Sequence, residues 1–95
     1  MNLKIYSVSD CKYCSVLMDT LSAHGIQYEI VKVLKADELP VDGDEMPFAE
    51  WISNGPDVPI IQKCMFPQVY IDGEYIGGMK DTIRHLYGAV QNETK

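Results

Sequence analysis

Two cysteines three positions apart, Cys11 and Cys14, are the residues of this sequence best suited to chemistry. Their segment, Asp10-Cys11-Lys12-Tyr13-Cys14, follows a strand-like run and opens a helix-like one. A thiol at a helix start faces backbone N–H groups that lack partners inside the helix, and the helix dipole favours negative charge there. Such surroundings lower a thiol pKa from about 8.5 into the range of roughly 3.5–7.5, and the thiolate is the nucleophile. Lys12 adds a neighbouring cation, which Asp10 opposes. Cys14 lies one turn further on, a spacing compatible with a disulfide, whose Cα atoms stand about 4.4–6.8 Å apart. Attack by Cys11 on a disulfide leaves a mixed disulfide, from which the more enclosed Cys14 displaces the bound substrate thiol. The rival chemistry is half of a zinc site. Structural zinc takes four ligands, commonly as two pairs, and Cys64, His24 and His85 form no second close pair. The expectation is redox chemistry and no metal.

Two further segments have the composition of ligand-binding backbone. In Met65-Phe66-Pro67-Gln68-Val69-Tyr70 a proline stands at a strand start, where its missing N–H must fall at an edge or turn. A cis Phe66–Pro67 bond would leave the Phe66 backbone free to pair with an extended ligand; an ordinary trans proline is the alternative, and cis is the minority state. In Gly77-Gly78-Met79-Lys80-Asp81, two glycines let the backbone approach a ligand, and the N–H groups that follow can hold a carboxylate. A plain turn before a helix reads equally well. Cys64 is expected as a small buried apolar residue in preference to a regulatory thiol.

The elements that position these segments follow from apolar periodicity. Leu3 to Val8 alternates and predicts a first strand, and Ser9-Asp10 offers capping chemistry for a helix over 13–24. Val16, Leu17 and Leu21, with Met18 and Cys14 beside them, mark its apolar face, and Gly25 stops it. Gln27 to Val33 alternates as a second strand, and the acidic stretch 34–46 reads as a loop. A short helix over 47–53 places Pro47 at its first position, with Phe48 and Trp51 facing the core; lining a groove is the lesser alternative for Trp51. Gln68–Ile71 and Glu74–Ile76 form a hairpin about Asp72-Gly73. Ile83, Leu86, Tyr87 and Val90 mark a last helix, which frays into the polar tail 91–95. The order β-α-β-α-β-β-α gives an α/β chain: a four-stranded mixed sheet flanked by helices, its first two strands parallel and its last two antiparallel.

Ninety-five residues suffice for one domain, taken as 1–95. The net charge of −6 and eight scattered basic residues argue against a nucleic-acid partner, since duplex affinity rests on neutralising phosphates. No apolar run is long enough to span a bilayer. No basic, apolar leader opens the sequence, so a cytoplasmic protein is expected, and its expected state is a monomer.

Taken together, the three segments resemble those of glutaredoxins. Cys11-Lys12-Tyr13-Cys14 is similar to the family's C-x-Y-C, Phe66-Pro67-Gln68-Val69 to its V-P-Q-V cis-proline segment, and Ile76-Gly77-Gly78 to its I-G-G. The resemblance implies a thioredoxin fold and a glutathione-coupled dithiol–disulfide oxidoreductase acting on protein disulfides or glutathione mixed disulfides. It implies Cys11 as nucleophile and Cys14 as resolving thiol. Tyr13, Phe66 and cis-Pro67 would flank and pair with glutathione, the co-substrate, and Lys80 and Asp81 would meet its γ-glutamyl end. A looser likeness to phage glutaredoxins suggests ribonucleotide reductase as electron acceptor. The sequence departs from the family in four places. Val8 replaces the Lys or Arg that commonly meets the glycyl carboxylate, Lys12 replaces a frequent proline, Phe66 is bulkier than valine, and Cys64 is an extra thiol. Val8 keeps open reduction by thioredoxin reductase, and Lys12 an iron–sulfur cluster shared through Cys11.

Overall fold

The computed structural model describes residues 1–92, with side chains through Tyr87. Its elements are β1 (Leu3–Ser7), α1 (Lys12–Ala23), β2 (Glu29–Lys32), α2 (Phe48–Asn54), α3 (Ile60–Lys63), β3 (Gln68–Ile71), β4 (Glu74–Gly77) and α4 (Met79–Asn92). The strands form one mixed sheet in the order β2-β1-β3-β4. The crossover through α1 makes β1 and β2 parallel, with Ile5 opposite Ile30. β3 runs antiparallel to β1, with Tyr6 opposite Gln68, and β4 antiparallel to β3. The turn between β3 and β4 puts both Asp72 (φ 53°) and Gly73 (φ 84°) in the left-handed region, as a two-residue hairpin requires.

The two faces of β1 serve two layers. Leu3 and Ile5, with Val69 and Ile71 of β3, meet Leu17 and Leu21 of α1 in the main core, and Ile83 and Leu86 of α4 pack against it. Each such buried aliphatic side chain contributes about 1.5–3 kcal/mol. On the opposite face Tyr6 stacks on Trp51 of α2 at 4.9 Å, and Trp51 meets Phe66 at 5.6 Å. Trp51 is buried, and its Nε1 donates to the Lys63 carbonyl at 2.8 Å. Core packing is thus where this residue belongs.

Several local expectations are corrected. The residue capping α1 is Cys11, not Ser9 or Asp10. Val16 is exposed, because Cys14, Leu17 and Leu21 define a narrower buried stripe. β2 is shorter than expected and lies at the sheet edge, so Ile30 is exposed despite its alternation. Pro47 caps α2 from outside it, and Phe48 is only half-buried. The stretch 34–46 is a loop, as expected, and it is closed at its base by the Val33–Met46 bridge and paired N–H···O bonds. The turn of helix α3, between Pro59 and Cys64, was not expected at all. α4 carries a break in helical geometry at Tyr87. The expected place of the Val90 side chain and of the tail beyond Asn92 lies outside the described residues. No helix among the described residues is long and apolar enough to cross a membrane.

Candidate functional site

The register brings the three chemistry-bearing segments to one end of the sheet. β1 ends at Ser7 and leads into Cys11; β3 begins one residue after Pro67; β4 ends at Gly77, paired with Val69. Pro67 and Gly78 are neighbours there, for a Cβ placed on Gly78 would stand 3.5 Å from the Pro67 carbonyl oxygen.

Cys11 sits in extended backbone (φ −98°, ψ 103°) as the first cap of α1, and its Sγ accepts from the Cys14 N–H at 3.2 Å. A sulfur atom therefore occupies the position usually taken by a capping oxygen. The two cysteines are joined in a disulfide with Cα atoms 5.3 Å apart. They differ in access: Cys11 is partly exposed and Cys14 is 2% exposed. A cleft of about 440 Å³ beside them is lined by Ser7, Val8, Asp10, Lys12, Ser15 and Met18. Tyr13 stands exposed on the first turn of α1.

The Phe66–Pro67 peptide is cis. What anchors this segment is a residue not singled out in the sequence, Gln68. It is buried, and its Nε2 donates to the Gln62 carbonyl at 2.7 Å and to the Met65 carbonyl, while its Oε1 accepts from the Tyr75 hydroxyl at 2.5 Å. A glutamine inside an otherwise apolar strand was the available signal, since a buried amide needs partners. Burial pushes the Tyr75 phenol above its usual 10.0, which keeps it protonated as a donor.

Gly77 takes φ 129°, and Asp81, on the first turn of α4, reaches back so that its Oδ2 accepts from the Gly78 N–H at 3.3 Å. This is half of a capping box. The other carboxylate oxygen meets Arg84 at 3.4 Å. Asp81 also lines a groove of about 470 Å³ with Pro59, Ile61, Gln62, Met65 and Tyr75, floored by Gln68 and Gly78. Lys80 is exposed beside it. Cys64, expected inside, is exposed, because it ends α3 at the surface. Among the described residues no three His, Cys, Asp or Glu side chains are grouped as metal ligands would be.

A dithiol at a helix start, on a mixed sheet with helices on its two faces, defines a thiol–disulfide oxidoreductase of the thioredoxin fold. The comparisons narrow this class. The family model for Glutaredoxin matches residues 3–76, and the chain belongs to the glutaredoxin family. Glutaredoxin 1 of Francisella tularensis, solved in complex with cacodylate, superposes with a TM-score of 0.62 at 20% identity, over 96% of each chain. The holo form of glutaredoxin C1 from Populus tremula x tremuloides gives 0.57 at 25% identity, over 95% of this chain and 79% of that one. The buckwheat glutaredoxin–glutathione complex also gives 0.57 at 25% identity, over 95% and 73%. No curated protein matches the chain.

Proposed function

We propose that this protein is a glutathione-coupled dithiol reductase in which Cys11 attacks and Cys14 resolves. The observation that carries the reading is the meeting, at one sheet end, of the capping sulfur of Cys11, the cis-Pro67 segment and the start of α4. The Cys11 thiolate attacks one sulfur of a substrate disulfide. A new S–S bond forms as the old one breaks, and the second substrate sulfur leaves as a thiolate that takes a proton. Cys14, after losing its own proton, attacks the Cys11 sulfur, closes the Cys11–Cys14 disulfide and releases the first substrate sulfur. The substrate gains two electrons and two protons, and the site loses them. One glutathione thiolate then opens the disulfide to a mixed disulfide on Cys11, and a second removes it as glutathione disulfide.

The groove of about 470 Å³ holds Asp81 but neither cysteine, so in this reading it takes the γ-glutamyl end of the tripeptide, which runs from there towards Cys11. In this reading Tyr13 flanks the glutathione, and the Phe66 backbone before Pro67 pairs with its cysteinyl unit. The N-terminal N–H groups of α4, with Lys80, receive the γ-glutamyl carboxylate. Asp81 receives the amino group, while its other contacts keep it in place. The protein acts as a monomer in the cytoplasm on protein disulfides, with ribonucleotide reductase as a candidate acceptor. Val8, apolar where the cleft beside Cys11 would meet a glycyl carboxylate, favours one second reading: recharging by thioredoxin reductase.

A coupled assay with glutathione, glutathione reductase and NADPH on a small mixed disulfide tests this. Cys11→Ser is expected to abolish turnover, and Cys14→Ser to retain it, because glutathione itself then resolves the adduct. Full activity in both variants overturns the assignment of roles. Turnover seen only with thioredoxin reductase overturns the glutathione coupling.

A further inference from the structure

The turn that delivers Cys11 to α1 is held from outside. Between Ser7 and Lys12 the chain passes through Asp10 at φ 56°, a left-handed conformation that is uncommon outside glycine, asparagine and aspartate. The neighbouring Ser9 donates its hydroxyl to Glu38 Oε2 at 2.5 Å, across 29 positions of sequence. The same oxygen lies 3.0 Å from the Lys32 Nζ, and Oε1 accepts from the Lys35 N–H at 3.1 Å. The Ser9 hydroxyl, then the Lys35 N–H and the Lys32 ammonium, lower the Glu38 pKa to about 2, so the carboxylate is charged at any working pH. The loop carrying Glu38 is itself anchored. Leu34 N–H donates to the Met46 carbonyl, Met46 N–H to the Lys32 carbonyl, both at 2.8 Å, and the Leu34 side chain is buried.

We propose that Glu38 is a positioning residue for the redox centre: through Ser9 it fixes the turn that seats the Cys11 sulfur at the start of α1. The acidic loop thereby takes part in the reaction without touching substrate. The placement matters because the Cys11 sulfur is 3.2 Å from the Cys14 N–H, and a small shift of the turn moves it off that donor. This inference rests on the reading that Cys11 is the attacking thiol.

The test compares reduced wild type with Glu38→Ala, Glu38→Gln and Ser9→Ala, leaving Asp10 and Lys12, the charged neighbours of Cys11, unchanged. The readouts are the pH midpoint of Cys11 alkylation, followed by mass spectrometry, and the rate of disulfide reduction. Glu38→Ala and Ser9→Ala are expected to raise the midpoint by about half a unit and slow reduction about fivefold, the scale of one lost hydrogen bond. The double variant is expected to be no worse than either single one. Glu38→Gln keeps an acceptor for Ser9 and is expected to recover most of the rate. Glu45→Gln removes the same charge from the same loop but not the Ser9 contact, and is expected to leave the midpoint in place. Lower midpoints in both Glu38→Ala and Glu38→Gln would mean that Glu38 acts only as a nearby anion, which overturns the proposal. Reduced stability with an unmoved midpoint would also overturn it. Should Glu38→Ala fail to fold, Ser9→Ala decides alone, since it removes the same bond and spares the other Glu38 contacts. Retained turnover in Cys11→Ser would instead sink the underlying reading, whatever the Glu38 variants show.

Discussion

Replacing Gly77 by alanine perturbs the site where fold and ligand groove meet. Two costs add. Gly77 has φ 129°, and holding an L residue in that region costs about 1–3 kcal/mol. A Cβ there would also stand 2.5 Å from Asp81 Oδ2 and 2.9 Å from Asp81 Cβ and Cγ. Asp81 must then give up the Gly78 N–H it caps at 3.3 Å, a loss of about 1 kcal/mol for a helix N-terminus. The sum is about 3 kcal/mol, which for a chain this size lowers Tm by roughly 12–24 °C. Thermal unfolding followed by far-UV circular dichroism measures this. The coupled assay on the same variant is expected to show a KM for glutathione raised about tenfold, because Asp81 is displaced from the groove. Measured in an Asp81→Ala background, the cost of Gly77→Ala is expected to fall towards the backbone term alone. An alanine variant with unchanged Tm and unchanged KM would refute both the strain and the role given to Asp81.

Trp51→Phe is expected to destabilise by roughly 2–3 kcal/mol, from the lost Nε1 bond to the Lys63 carbonyl and the space left beside Tyr6 and Phe66. Circular dichroism must report it, since the chain's single tryptophan is removed; a change below 0.5 kcal/mol, far under the roughly 2–3 expected, contradicts the packing argument. Glu38 and Glu45 both have carboxyls lowered from 4.5 to about 2, Glu45 by the Asp42 and Val41 N–H groups. Depressed folded-state values mean that the stability they contribute is present in full above 4.5 and is lost as pH falls from 4.5 towards 2. Urea midpoints across that window are expected to fall, and less steeply in Glu45→Gln; parallel curves would contradict the assignment. Val8→Lys places a cation in the cleft beside Cys11 and is expected to lower the glutathione KM about two- to fivefold at low salt, fading as salt rises. No change at low salt would remove the glycyl carboxylate from that cleft.

The parts of the fold legible in the sequence are those set by local pattern. The alternation of Leu3, Ile5 and Ser7, the Asp72-Gly73 turn and the stop at Gly25 each carry their own stereochemical signal. The strand order was not legible, because the pairing of β1 with β3 spans more than sixty residues and no local residue encodes it. Helix α3 escaped because four residues between prolines and a surface cysteine show no periodicity. Of the site, Cys11 and Cys14 announced themselves by spacing, and the cis state of Pro67 came from resemblance alone. Ser9 read as a helix cap, when its hydroxyl in fact goes to Glu38. That contact, like the Gln68 network, depends on where a distant loop comes to rest. Cys64 read as apolar by residue type, whereas its exposure follows from the end of a helix that the sequence did not reveal.

Trapping the first intermediate tests the account most directly. A Cys14→Ser/Cys64→Ser chain, reduced and then exposed to glutathione disulfide at neutral pH, is expected to gain one glutathionyl group within the assay's turnover time, mapped by peptide mass spectrometry to Cys11. A chain that stays unmodified while its Cys11 is free and folded would show that this sulfur is not the nucleophile.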